Sequence, residues 1–166
     1  MKLNEKLYTL ATIVENKPGV LFRTANMFRR RGFNIESISV GTIEQDGLSR
    51  MTITVYADED TAEQIIKQLS KLIDVIKVNV LDEAEIVKRE LALIKIQIQD
   101  SRALTELTNY CNIFRNRIID VSPDSMIIEV TGTPDKVDAF VQLVQGYGIR
   151  EMARTGITAL QRGSKK

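Results

Sequence analysis

The stretch LYTLATIVENKPGVLFRTANMFRRRGFNIESI, residues 7–38, decides the fold. Residues 7–14 alternate and are rich in β-formers, which reads as a strand. Asn16, Lys17, Pro18 and Gly19 then form a corner. Pro18 fixes its own φ and pushes Lys17 toward an extended backbone, while Gly19, lacking a Cβ, lets the chain turn sharply and a ligand come close. Residues 20–31 place Val20, Leu21, Ala25 and Phe28 at helical spacing, Gly32 supplies a C-cap, and Ile35 opens a second strand. A helix starting at Val20 presents N–H groups that have no partner inside the helix, and such an end attracts a small anion. Asn16 stands just before it with an amide that both donates and accepts. Backbone N–H groups for a carboxylate and an amide oxygen for an ammonium together suit a zwitterion. The plainer alternative is a strand-to-helix turn that uses Pro and Gly for geometry alone; the corner by itself leaves both open.

Outward from this stretch, Gln45-Asp46-Gly47 is a hairpin signal, and residues 48–57 read as a third strand with Met51, Ile53 and Val55 on one face. Asp58 or Asp60 caps a helix that buries Ala62, Ile65, Ile66, Leu69 and Leu72, and residues 75–81 form a fourth strand. The order βαββαβ gives a four-stranded antiparallel sheet with both helices on one face. The other face, carrying Ser37, Ser39, Thr52 and Thr54, must be covered or stay exposed. The regular edge strand from Ile35 invites pairing with a second copy. Residues 82–90, DEAEIVKRE, are charged and helix-prone and read as a linker helix.

The pattern then restarts. Residues 91–99 are a strand, Asp100 or Ser101 caps a helix burying Leu104, Leu107, Cys111 and Phe114, and strands follow at 117–121 and 126–132 around a Pro123-Asp124-Ser125 turn. Thr133-Pro134 opens a helix with Val137, Phe140, Val141 and Val144 inward; residues 149–154 are a last strand, and the tail from Gly163 is polar. The expected fold class is therefore α+β: two ferredoxin-like βαββαβ domains, 1–81 and 91–166, joined by the 82–90 helix. MFRRRGFNIESIS in the first half is echoed by IFRNRIIDVS in the second. The second half lacks the Pro-Gly corner, reading DSRAL at 100–104, so only the first half is expected to bind a ligand there.

Composition narrows the function. In 166 residues, 43% are apolar and 27% charged, and the net charge is +1, without the positive excess of general nucleic-acid binders. Arg29, Arg30 and Arg31 sit where cations favour a helix dipole. One cysteine allows no internal disulfide and fits a reducing, cytoplasmic setting. The opening MKLNEKLYTL has no apolar core of signal-peptide length, and no apolar run suffices to cross a bilayer. There is no histidine, which removes His-based nucleophilic and zinc sites and the commonest acid–base group.

The segments VENKPGVLFR, RRGFNIESISVG, LSRMTI and QLSKLIDVIKV in the first half resemble an ACT domain, a small ligand-binding module. With RELALIKIQ, IFRNRIIDVSPDS, KVDAF and ARTGITALQRG in the second, the chain resembles, over nearly its full length, the regulatory subunits of acetolactate synthase, also called acetohydroxyacid synthase. The resemblance implies a chain without cofactor or catalytic activity of its own. Its catalytic partner is then expected to carry thiamine diphosphate, Mg²⁺ and FAD and to join two pyruvates, or pyruvate and 2-oxobutyrate, in branched-chain amino-acid synthesis. It further implies that this chain activates the partner and confers feedback inhibition by valine. ACT domains of the family pair side by side, so a homodimer is expected, with the effector site at the pair interface. Carried over onto this sequence, Asn16, Gly19, Val20 and Leu21 of one chain and Asn34 and Ile35 of the other contact the effector, and no metal ligand is expected. Lys17-Pro18 is the local departure from the family pattern and leaves the preferred amino acid open.

Other readings are a stand-alone amino-acid-binding ACT-type sensor or another ferredoxin-like binding module. An RNA-binding sheet needs stacking aromatics, and the chain has only 5% aromatic residues. Acylphosphatase-type catalysis needs an Arg near the first corner, and Arg23 lies a turn into the helix. No helix-turn-helix segment is left over to read DNA.

Overall fold

The computed structural model describes residues 5–163. The elements run β1 (Lys6–Glu15), α1 (Val20–Arg31), β2 (Ser37–Thr42), β3 (Leu48–Ala57), α2 (Glu59–Leu69), β4 (Val75–Leu81), β5 (Ile86–Gln97), α3 (Ser101–Phe114), β6 (Arg117–Ser122), β7 (Ser125–Gly132), α4 (Pro134–Val144), a 3₁₀ turn (Gln145–Tyr147), β8 (Ile149–Arg154) and β9 (Thr158–Gln161). They form two compact units: one runs to Val87 and takes back the chain from Gly156 on, and the other is Lys88–Thr155.

In the first unit the sheet order is β2-β3-β1-β4, all antiparallel, with Leu10 opposite Ile53 and Ile53 opposite Ile38. The order leaves β2 at an edge. Period-2 alternation sends Leu10, Val14, Met51, Ile53 and Val55 to one face, where they meet Val20 and Phe28 of α1 and Ile65 and Leu69 of α2 in one core. Both helices thus lie on one face, as expected. Asp58 caps α2 by accepting the Thr61 N–H at 2.8 Å. Gly32 ends α1 in the left-handed region, φ +68°, where a side chain would be strained.

The other face of this sheet is covered by the chain's own C-terminal segment. Ile157 and Ala159 bury with Ala11, Leu81 and Ile86 in a small second cluster. The Ile157 N–H donates to Ser37 Oγ at 3.4 Å and Arg50 Nη2 to the Ala159 carbonyl at 2.9 Å. Gly156 is placed so close that a Cβ there would stand 2.5 Å from the Ile38 carbonyl oxygen, so only glycine passes. The C-terminal region expected as 91–166 therefore gives up its last segment to the first unit.

The second unit repeats the plan with order β6-β7-β5-β8; β9, which belongs to the first unit, pairs with β5, the strand that begins at Ile86 in that same unit. Its core joins Ile94, Ile96, Leu107, Met126, Ile128 and Phe140, with Phe114 edge-on to Phe140 at 5.3 Å. Cys111 is buried in this core, and burial pushes its thiol up to about 11.

The linker helix expected at 82–90 does not form. Asp82–Glu85 is a turn, closed by Glu85 N–H to the Asp82 carbonyl at 2.9 Å, and β5 begins at Ile86. Charge at 88–90 concealed a strand period: Ile86, Glu90, Ala92, Ile94 and Ile96 are buried. Glu90 belongs in that row because Arg154, 64 residues on, donates to it from Nε at 2.7 Å and again from Nη2. β9 was also not foreseen, being four residues in a segment that reads as a tail. Residues 164–166 of the polar tail lie outside the described residues.

Candidate functional site

The corner between β1 and α1 is built as its residues dictate. The Asn16 N–H donates to the Gly47 carbonyl at 2.7 Å, and Glu15 N–H to that of Asp74 at 2.9 Å, which fixes the end of β1. Gly19 sits at φ +86°, ψ −8°, as the N-cap of α1, and no side chain caps the helix. The Val20 N–H makes one long bond, 3.4 Å, to the Lys17 carbonyl, while Arg23 N–H returns to Gly19 at 2.9 Å. Between them, the N–H groups of Leu21 and Phe22 find no acceptor among the described residues. Asn16 and Gly19 are exposed, Leu21 is half-exposed, and Val20 faces the core. The first turn carries no acidic residue, so its donors and dipole are open to an outside anion.

Arg23 belongs to this corner. A Cβ built on Gly19 would lie 2.9 Å from Arg23 Nη1, so the guanidinium hangs over the glycine. Asp74, 8% exposed at its side chain, holds it there: Arg23 Nε donates to Asp74 Oδ2 at 2.5 Å. That hydrogen bond, against some desolvation, keeps the Arg23 pKa above its ordinary value. Sequence reasoning weighed Arg23 only as an enzyme's arginine and set it aside. The available signal was its spacing, one helical turn beyond Gly19 on the same face; its partner lies 51 residues away and leaves no local trace.

Asn34 and Ile35 stand at the far end of α1. Asn34 is exposed and lines a separate cavity of about 420 Å³ with Phe33, Tyr56 and Ile65, and Ile35 leans on the first unit's core. Twelve residues of helix separate the two groups, about 18 Å at ~1.5 Å per residue. One chain therefore brings together Asn16, Gly19, Val20 and Leu21 and keeps Asn34 and Ile35 apart from them.

Among the described residues, no three His, Cys, Asp or Glu side chains cluster to hold a metal, and no helix is long and apolar enough to cross a membrane. The corner offers donors and a cation. It can bind and orient a carboxylate.

Two family models match the chain. One described as the AHAS small subunit-like ACT domain covers residues 10–77, and one described as the small subunit of acetolactate synthase covers 89–163. Among curated relatives, the probable acetolactate synthase small subunit of Archaeoglobus fulgidus is 57% identical over 159 residues, spanning 96% of this chain and 99% of its own. The acetolactate synthase small subunit of Mycolicibacterium smegmatis is 47% identical over 158 residues, spanning 95% and 92%. The crystal structure of the acetolactate synthase small subunit from Thermotoga maritima superposes with a TM-score of 0.90 at 45% identity, spanning 96% of this chain and 99% of that one.

Proposed function

The chain belongs to the family of acetolactate synthase small subunits, and from that premise we propose that it is the valine-sensing regulator of a separate catalytic subunit. That partner, carrying thiamine diphosphate, Mg²⁺ and FAD, converts two pyruvates to 2-acetolactate and CO₂ for branched-chain amino-acid synthesis. The small subunit raises its activity, performs no turnover itself, and lowers the partner's rate when valine binds.

The observation that carries the reading is the uncapped start of α1. A valine carboxylate accepts from the Leu21 N–H, with the Val20 N–H shared, and Arg23 adds its charge. The Asn16 side-chain oxygen takes the ammonium. The far end of the pocket comes from a second copy. When two chains pair about a two-fold axis with their α1 helices antiparallel, the corner of one meets Asn34 and Ile35 of the other, which a single chain holds about 18 Å away. Valine then stabilises one geometry of the pair, and coupling of about 1–3 kcal/mol to the catalytic subunit suffices for inhibition.

Subunit complementation tests the two-chain site. Gly19→Asp and Asn34→Ala chains are each reconstituted with the catalytic subunit, and each loses valine inhibition. When the two variants are mixed and allowed to exchange, one of the two sites in each mixed dimer regains both an intact corner and an intact Asn34. With equal amounts exchanging at random, half the dimers are mixed, so about a quarter of the parent's intact sites return. No recovery on mixing, with mixed dimers shown by mass, would place all the contacts within one chain and end the proposal.

A further inference from the structure

Among the described residues, Arg50 is a cation without a counter-ion. It lies on β3, alternating with the core residues Met51 and Ile53, and so projects from the sheet face turned away from the helices. Its register partner on the edge strand β2 is Gly41. Nη2 donates to the Ala159 carbonyl at 2.9 Å, but Nε is buried and has no hydrogen-bond partner. Among the described residues it is the one buried side-chain donor of the first unit left in that state. Among the described residues no carboxylate lies within ion-pair distance; burial pushes the Arg50 pKa down, and Glu44 opposes this only through space. A half-buried guanidinium group with one donor unmet and no opposite charge beside it is costly to keep, and an anion at its exposed part would offset some of that cost.

The same side chain lines a cavity of about 270 Å³. Its polar wall adds the Ser39 and Thr158 hydroxyls, 3.5 Å apart and each able to donate, and Ile43 and Leu160 line its apolar side. Gly41 also lines it, and a Cβ there would stand in open space with nothing within 4 Å. One cation, two hydroxyls and two aliphatic side chains fit a ligand with a single anionic head and a short hydrocarbon tail. We propose that this cavity is a second binding site, for a short aliphatic carboxylate, whose head meets the Arg50 guanidinium and whose tail lies on Ile43 and Leu160. It lies on the opposite face of the sheet from α1 and does not draw on the valine reading, so either can fail alone.

The test uses the full chain, labelled for amide NMR and titrated at neutral pH with 3-methylbutanoate, with uncharged 3-methylbutanamide as control. The acid is expected to give saturable shifts at Gly41, Thr42 and Ala159, and the amide none. Arg50→Gln should weaken binding roughly tenfold or more, the effect of losing one charge-assisted contact. Gly41→Val puts a branched side chain directly opposite Arg50, keeps the arginine's charge, and should abolish the shifts while the rest of the spectrum stays in place. Equal response to acid and amide, unchanged affinity in both variants, or no saturable shift overturns the proposal. So does the remaining source of the same chemistry, a carboxylate of a second copy: the free acid then fails to bind, and Arg50→Gln lowers the sedimenting mass.

Discussion

The two units begin their first helices in opposite ways. In the second, Asp100 is an extended N-cap whose Oδ1 accepts the Ala103 N–H at 2.8 Å, and the helix satisfies its own first turn. In the first, Gly19 takes that position, has no side chain to offer, and leaves donors open beneath Arg23. Each fold repeat has the same two helices on one face of an antiparallel sheet, so architecture alone does not make a ligand site. The difference is one carboxylate: Asp100 does from within the chain what a ligand would do from outside at Gly19.

The largest expected effect comes from giving the first corner the second one's carboxylate. Gly19→Asp should raise the valine concentration needed for half-inhibition by about 100-fold or more, the worth of two charge-assisted bonds. The backbone at φ +86° strains any side chain, so Gly19→Ala is the control. It carries the strain without the charge, and a Cβ displaces only the mobile end of Arg23. We expect Gly19→Ala to stay within about tenfold of the parent. Equal loss in both variants, measured on the reconstituted enzyme, would reduce the corner to a turn that needed glycine for shape.

Removing the carboxylate from the second corner is the converse. Asp100→Ala should cost about 1 kcal/mol, the usual worth of a cap, read as a lower urea midpoint for the second unit. Valine inhibition should not move. A large change in the valine response would mean that the second corner takes part in sensing, and the contrast between the units would collapse.

Much of this contrast was readable in the sequence because it is local. Pro18-Gly19 against Asp100-Ser101 is visible in four residues, and the strand and helix periods on either side are short-range patterns. What escaped depends on pairs distant in sequence. The Arg23–Asp74 bridge spans 51 residues, and the Glu90–Arg154 bridge spans 64 and turns a charged, helix-prone segment into strand. The cover over the open sheet face rests on Gly156 passing close to Ile38. Nothing near Gly156 announces that approach; the hydroxyls of Ser37 and Ser39 signalled only a face that could be covered.

The helices also end differently, and that gives the smallest effect. Gly32 closes α1 and Arg115 closes α3, both in the left-handed region, at φ +68° and +53°. The residue after each returns a hydrogen bond into its helix: Phe33 N–H to the Phe28 carbonyl at 3.0 Å, Asn116 N–H to that of Cys111 at 2.8 Å. An arginine in this conformation is held at a cost of about 1–2 kcal/mol, and its charge adds to the burial that pushes the Lys136 pKa down. Arg115→Gly relieves both, while the unfolded chain gains freedom worth about 0.5–1 kcal/mol. A net stabilisation of about 0.5 kcal/mol remains, which should slow hydrogen exchange at the Asn116 amide roughly twofold. Gly32→Ala imposes the same backbone cost on the first unit and should speed exchange at Phe33. Opposite signs at the two amides are the required result. Matching signs would mean that the left-handed closure is not what limits the last turn of either helix.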